Sequence, residues 1–330
     1  MERTTDPGLR LMKNLPTILK MSPYYRPVVW GGRRLETALN KELPEGENIG
    51  ESFEVSALPD MESVVESGPL AGQNVRELYA AYGGELAGKG VVSRYGEEFP
   101  LLIKLLDAND DLSIQVHPDD TYARQHKLGT FGKMEAWYVV RSDDGRLASG
   151  LRSGVDRIDL IDAIDRGKVE DVVEFYSVKE GDIVFLKPGS VHALCRGVMV
   201  YEVQQSSSLT FRLYDYNRPD TDGNPRQLHL NQALDVINFG EPAIIPAPVD
   251  TPTAVESEHF ILEQFSSEDT EHDACGSFRC VTVISGSAEL NAEDSSVALD
   301  LAETALIHAN RTFSVTTSSD ARYLISSVPV

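Results

Sequence analysis

Leu112-Ser113-Ile114-Gln115-Val116-His117-Pro118-Asp119-Asp120 is the stretch on which the reading of the fold turns. At the two-residue period of a strand, Ser113, Gln115 and His117 face one way and Ile114 and Val116 the other. A strand with one apolar face and Ser, Gln and His on the second is a natural wall for a polar pocket. Pro118 has no N–H to give a sheet ladder, so the strand stops there and leaves His117 near its end. Taken alone, one His on such a strand reads as a hydrogen-bonded interior residue. The rest of the chain argues for more.

At 330 residues the chain is long enough for two domains, and its 41% hydrophobic and 25% charged residues are ordinary for a globular protein. A net charge of -22 argues against nucleic acid and anionic membranes as partners. It also repels a phosphorylated metabolite at long range, so a site for one needs a local cluster of Lys and Arg. Cys195, Cys275 and Cys280 show no zinc-type pairing, and an odd count suits a reducing compartment. No apolar run approaches the ~20 residues of a membrane span. Met1 to Lys20 lacks a signal-peptide core, so the cytoplasm is the expected location.

Working outward, Pro100 to Leu106 is an apolar run holding one lysine, Lys104, which sits either at an edge or in a polar cavity. Lys133 to Val140 alternates so that Lys133, Glu135 and Trp137 share a face. Lys187-Pro188-Gly189-Ser190 turns into Val191-His192. Tyr201 to Tyr216 reads as the longest strand. Glu202, Gln204, Ser206, Ser208, Thr210 and Arg212 share one parity there unless a bulge intervenes, which suggests a wet cavity.

Upstream, residues 1–20 read as an extension or a first strand, and Val28 to Leu35 as a strand broken by a glycine turn. Ile49 to Ser56 is a strand with Glu51 and Glu54 on opposite faces, so at most one reaches a pocket and the other is expected in solvent. Asn74 is a good N-cap for a helix with Val75, Leu78, Tyr79 and Tyr82 inward, ended by Gly83-Gly84. Ile158, Ile161 and Ile164 mark the apolar face of another helix, and residues 229–238 a third. Glu241 to Pro252 is Pro-rich and reads as a linker. From Phe260 onward short strands indicate a small all-β unit, whose His259, His272 and His308 lack a His or acid two residues away. The expected division is a metal-binding catalytic domain over 1–240, a linker over 241–255 and a small β domain without metal ligands over 256–330.

Strand faces thus present Gln115 and His117, then Glu135, then His192. Two imidazoles, a carboxylate and an amide oxygen form a mixed N/O set suited to zinc or a similar divalent ion.

The Trp30-Gly31-Gly32 turn, Ile49-Gly50-Glu51-Ser52, Phe99 through Asp120 and Gly132-Lys133-Met134-Glu135-Ala136-Trp137 carry a resemblance. So do Gly189-Ser190-Val191-His192-Ala193 and Phe211-Arg212-Leu213-Tyr214-Asp215-Tyr216, with Arg226 as a short, ordinary match. Together, over roughly residues 20–240, they resemble the short bacterial form of type I phosphomannose isomerase. The resemblance implies a mainly β protein: a cupin jelly-roll barrel with helical insertions, followed by a smaller C-terminal β unit. It implies one zinc ion on Gln115, His117, Glu135 and His192, and interconversion of mannose 6-phosphate and fructose 6-phosphate through an enediolate. The family's active-site arginine falls on Arg212, and its pocket residues match at Lys104, Ser113, Lys133 and Glu202.

The chemistry fits that pattern, because an enediolate needs fixed positive partners, which a metal with Arg212 and Lys133 supplies. Glu202 and a hydroxide on the metal are both candidates for the base. Ser113 and basic side chains would meet the phosphate. The expected partner is therefore a small sugar phosphate, with the protein a monomer or homodimer. One departure stands out: family members often carry an acid four positions before the arginine, where this chain has Ser208. Phe53 and Phe211 replace the family's frequent Trp and Tyr. The alternatives are a cupin isomerase of another phosphosugar and a non-catalytic sugar- or metal-sensing cupin, for which Ser208 is the main argument.

Overall fold

Antiparallel pairing sorts the strands of the chain into four sheets. The computed structural model describes residues 15–219 and 223–330; the expected extension up to residue 14 lies outside them. A first sandwich pairs a seven-stranded sheet with a five-stranded one. The seven strands run Ala247–Pro248, Asp182–Leu186, Glu135–Ser142, Val198–Gln205, Leu101–Asp107, Ile49–Val55, Tyr24–Gly32 in spatial order. The five run Phe211–Tyr214, Ile114–Val116, His192–Leu194, Arg146–Leu151, Val173–Ser177. A second sandwich is built mostly from residues after 253, and the N-terminal strand Ile18–Ser22 joins it by pairing Ile18 with Ile307. The mainly β jelly-roll class is as the sequence implied.

The two sandwiches stack through their seven-stranded sheets. Leu101, Ile103, Leu105, Tyr201 and Val203 of the first join Leu19, Met21, Cys280, Leu306 and Leu324 of the second in one buried cluster. Tyr201 Oη lies 2.8 Å from Ser326 Oγ across this seam. Leu101–Asp107 is therefore covered on both faces and buried at every position, which is why it reads as a continuous apolar run. Leu101, Ile103 and Leu105 enter the seam, while Lys104 points into the first sandwich, where it lines a cleft with Glu51, Glu202 and Trp137.

Helix Val75–Leu86 closes one side of the seam through Leu78, Tyr79, Tyr82 and Leu86. Its start is a capping box: Asn74 accepts from the Glu77 N–H while Glu77 accepts from the Asn74 N–H. The helix passes through a kink at Gly83 (φ 37°, ψ -106°) and ends at Leu86, later than the glycine pair suggests. Among the described residues no helix is long and apolar enough to cross a membrane.

Three expectations need correction. Tyr201 to Tyr216 is not one strand: the chain leaves the seven-stranded sheet after Gln205 and enters the five-stranded sheet at Phe211. Ser206 to Thr210 make the crossing, held by Ser206 N–H to the Pro100 carbonyl and by Gln204 Nε2 to the Gln205 and Ser207 carbonyls. Parity cannot report a change of sheet. In helix Arg157–Asp165 the buried residues are Leu160 and Ala163, while Ile158 is 75% exposed. Spacing of three drifts by about 60° per step at 100° per residue, so the isoleucines spread round the helix rather than forming one face. Finally, Glu54 is not solvated. Its strand face is covered by the second sandwich, and it meets Lys41 at 2.7 Å, Ser52 Oγ at 2.5 Å and Thr304 Oγ1 at 3.2 Å.

Candidate active site

Gln115 is the hub of the five-stranded sheet: it pairs with His192 on one side and Arg212 on the other, so the three side chains share a face. Ile114 and Val116 point the opposite way into a cluster with Leu160, Leu213 and Leu234. The strand ends at Val116, one residue before His117, as Pro118 requires. Gly189 ties the two histidine segments together, since its N–H donates to the His117 carbonyl at 2.9 Å. Its φ is +86°, and a Cβ there would lie 2.5 Å from Asn238, so only glycine fits. His192 Nδ1 lies 2.9 Å from the Ser190 carbonyl, which turns Nε2 inward.

Glu135 arrives from the facing sheet as the first residue of its strand. His192 Nε2 lies 3.1 Å from Glu135 Oε1 and 3.1 Å from His117 Nε2; His117 Nε2 lies 3.6 Å from Glu135 Oε2. Gln115 Nε2 is 3.3 Å from His192 Nε2, and an amide flip would bring its oxygen to that side instead. Burial, reinforced by Lys133, pushes the His117 imidazole well below its ordinary value, so it is neutral. Burial alone would raise Glu135, but the Lys133 ammonium, with the close approach of His192, outweighs it and holds the carboxyl well below its usual range.

The donor set suits a divalent ion. Ligand atoms of His117, Glu135 and His192 all lie within 4.8 Å of one another, and all three residues are buried. Both Glu135 oxygens lack a well-aligned hydrogen bond, although Lys133 Nζ is 2.6 Å from Oε2. Buried acceptors without such bonds are costly, and a cation among them would remove that cost. Neutral imidazole and carboxylate are the ligands zinc prefers.

Beside this cluster, four strands of the seven-stranded sheet lay side chains in a row: Trp137, Glu202, Lys104 and Phe53 are successive cross-strand partners. Trp137 Nε1 donates to Glu202 Oε2 at 2.7 Å, Lys104 Nζ stands 3.1 Å from Glu202 Oε1, and Lys104 lies over the Phe53 ring at 4.8 Å. Glu51 adds a second carboxylate, 3.5 Å from Lys104 and 2.8 Å from Arg26. Burial works against the Lys104 charge, yet Glu202 and Glu51 outweigh it and hold the ammonium above its ordinary value. The same pairing with Lys104 and Arg26 overcomes burial at Glu51 and keeps it ionised.

The mouth of this cleft, which encloses about 110 Å³, is basic: Arg26, Arg212 and Arg226 line it with Ser113, Ser208 and Thr210. Among the described residues no carboxylate lies within ion-pair distance of Arg212, and its buried Nε has no hydrogen bond. Burial and the nearby Arg226 pull its guanidinium below its ordinary value. Arg226 is held by Asp215 at 3.1 Å, which also takes Arg218 at 2.8 Å. In a chain of net charge -22, Arg26, Arg212 and Arg226 at one cleft mouth are the local positive cluster that an anionic ligand needs.

The structure brings Gln115, His117, Glu135, His192, Lys133, Glu202, Arg212, Ser113 and Lys104 to this one place. The residues not singled out from sequence are Arg26, Glu51 as the pocket-facing member of its pair, and Trp137 as a hydrogen-bond donor. The parity argument located Glu51 and Trp137 on the right faces; Arg26 carried no signal, being a lone arginine on an edge strand.

A jelly roll that gathers ligand-type side chains, a buried lysine between carboxylates and a group of arginines at one open end is an enzyme of the cupin class. Comparison with known proteins agrees. The model of the family "Phosphomannose isomerase type I, catalytic domain" matches residues 18–144. A mannose-6-phosphate isomerase of Streptococcus mutans is 40% identical over 215 residues, 65% of this chain and 66% of that protein. A mannose-6-phosphate isomerase of Bacillus subtilis is 35% identical over 223 residues, 66% of this chain and 67% of that protein. The crystal structure of a mannose 6-phosphate isomerase from Bacillus subtilis superposes with a TM-score of 0.84 at 30% identity, covering 94% of this chain and 99% of that one. A mannose 6-phosphate isomerase structure bound with zinc and yttrium shares the fold at TM-score 0.75 and 15% identity, covering 95% and 100%. The chain belongs to the type I phosphomannose isomerase family.

Proposed function

We propose that this chain interconverts mannose 6-phosphate and fructose 6-phosphate, with one zinc ion held by Gln115, His117, Glu135 and His192. The observation that carries the reading is the adjacency of the buried His117, Glu135 and His192 cluster to the Glu202–Lys104 pair under a basic mouth. When bound, zinc supplies Lewis acidity to the carbonyl and hydroxyl oxygens at C1 and C2.

The side chains account for the rest. Arg226, with Ser113, meets the phosphate dianion at the mouth and leaves C1 and C2 toward the inner wall, where Arg212 joins the lysines that face the enediolate charge. Glu202, 3.1 Å from the Lys104 ammonium, takes the proton from C2 of the open-chain aldose. The C2–H electron pair becomes the C1–C2 double bond, and the carbonyl pair moves onto O1 as the enediolate. Lys133 and Lys104 face that charge in a water-poor cleft. Glu202 then returns the proton to C1 while the O2 proton passes to O1, leaving the ketone at C2. Nothing in this sequence of transfers needs an acid at position 208, where Ser208 is exposed at the mouth.

The test is a coupled assay on protein of known metal content, with and without chelator. Turnover of mannose 6-phosphate that falls with chelation and returns with zinc is expected; metal-loaded protein without turnover would overturn the reading. Three free cysteines support the cytoplasm as the compartment, and the chain, whether monomer or homodimer, carries every site residue named. The division into 1–240, 241–255 and 256–330 belongs to the same proposal, with strand Ile18–Ser22 lent to the second sheet system.

A further inference from the structure

We infer that Trp137 is a positioning residue: it pins Oε2 of Glu202 and so makes Oε1 the oxygen that takes up and returns the proton. The inference rests on the role proposed for Glu202. It starts from an asymmetry between the two carboxylate oxygens. Oε2 accepts a 2.7 Å hydrogen bond from the indole Nε1. Among the described residues Oε1 has no aligned hydrogen bond, and the Lys104 ammonium stands 3.1 Å from it.

An indole N–H donates and never accepts, so it cannot compete for the proton that Glu202 carries. It holds one oxygen and stabilises the anion. The bond is built into the fold, because Trp137 and Glu202 are direct cross-strand partners and are 1% and 2% exposed. The same ring meets His192 edge-on, with centroids 5.4 Å apart and planes at 81°. One rigid side chain with two rotatable bonds thus spans from the proton carrier to a candidate metal ligand and sets their separation. Lys104, which stands 3.1 Å from Oε1, is shared with Glu51, and Lys133 lines the same cleft.

In the step this serves, the C2–H bond breaks, its electron pair stays in the substrate, and an O–H bond forms at Oε1. That O–H bond later breaks as C1–H forms. Without the indole donor the terminal torsion of Glu202 is free to turn either oxygen inward, and the carboxylate loses a donor that favoured its charged form.

The test uses the zinc-loaded full chain in three forms: Trp137→Phe, an isosteric benzothiophene analogue of tryptophan at position 137, and Glu202→Gln. The analogue keeps the ring shape and removes only the N–H donor, so it decides the matter if Trp137→Phe folds poorly. Expected for both Trp137 forms are a kcat lower by about tenfold or more with KM little changed, and an acid limb of the pH profile about one unit higher. A packing role alone would leave the limb where it is. A benzothiophene form with wild-type kcat and pH profile, alongside an inactive Glu202→Gln, would overturn the role of Trp137 while sparing that of Glu202. Full turnover by Glu202→Gln would instead overturn the reading of Glu202, and this inference with it.

Discussion

The first sandwich keeps Lys104, Glu51, Glu202, Lys133, Glu135, His117 and His192 buried at one end of its interior. The second, also two antiparallel sheets face to face, fills its interior with Ile18, Val281, Leu290, Leu299, Phe313, Val315 and Tyr323. Both are closed by strands of similar length, so the architecture does not demand a polar interior. Burying this many charges costs free energy that an apolar filling would avoid, and pairing returns only part of it. A fold keeps such a group where chemistry needs it, and the contrast is what the site proposed in the first sandwich requires. A single strand repeats the lesson. Glu51 and Glu54 are both buried on Ile49–Val55, yet Glu51 lines the cleft with Lys104 and Glu54 meets Lys41 and Thr304 in the seam.

The sharpest way to break this contrast is to change the polar interior alone. Glu135→Gln should lower turnover by about a thousandfold and empty the metal from purified protein, measured by coupled assay and elemental analysis, with folding intact. Retained metal and activity would remove the distinction between the two interiors.

The converse change, Phe313→Ala in the second sandwich, should cost about 3–5 kcal/mol in chemical denaturation and leave kcat per folded molecule within about twofold. A large loss of kcat in a protein that remains folded would show that the second sandwich takes part in the chemistry.

Asp107 sharpens the comparison within the first sandwich, since it is buried there yet outside the cleft. Burial, opposed by Arg34, pushes its carboxyl up to about 6. Its folded-state value lies above the ordinary carboxyl range, so between about pH 4 and 6 the native state binds the extra proton. Its contribution therefore favours folding at the low end of that window and is lost as pH rises through 6. Asp107→Asn should remove this slope, gaining stability relative to the wild type as pH rises, by on the order of 2 kcal/mol across the window. Parallel urea midpoints against pH for the two proteins would contradict it.

The smallest effect concerns the outer helix of the first sandwich. Ile158→Lys should shift stability by less than about 0.5 kcal/mol, because the side chain already faces water. A large loss in thermal unfolding would mean that Ile158 is covered after all.

Much of the site could be read in the sequence because its residues declare themselves by type and parity. Ser113, Gln115 and His117 lie on one face of a strand that Pro118 ends, and Glu135 and Trp137 repeat the pattern. The errors came where a pattern was local but its meaning was not. Ser206 to Thr210 continue an alternation while crossing between sheets, and the isoleucines of Arg157–Asp165 suggest a face that Leu160 and Ala163 occupy.

By itself the sequence determined that the protein is mainly β, which residues share a strand face, and the family to which they belong. Tertiary structure alone decided what covers each face. It set Glu54 against the second sandwich rather than water, aimed Lys104 inward, and brought Trp137 to one oxygen of Glu202. The physical reason is that backbone geometry sets the two-residue period within a strand, whereas what lies across that face depends on pairings between strands far apart in the chain.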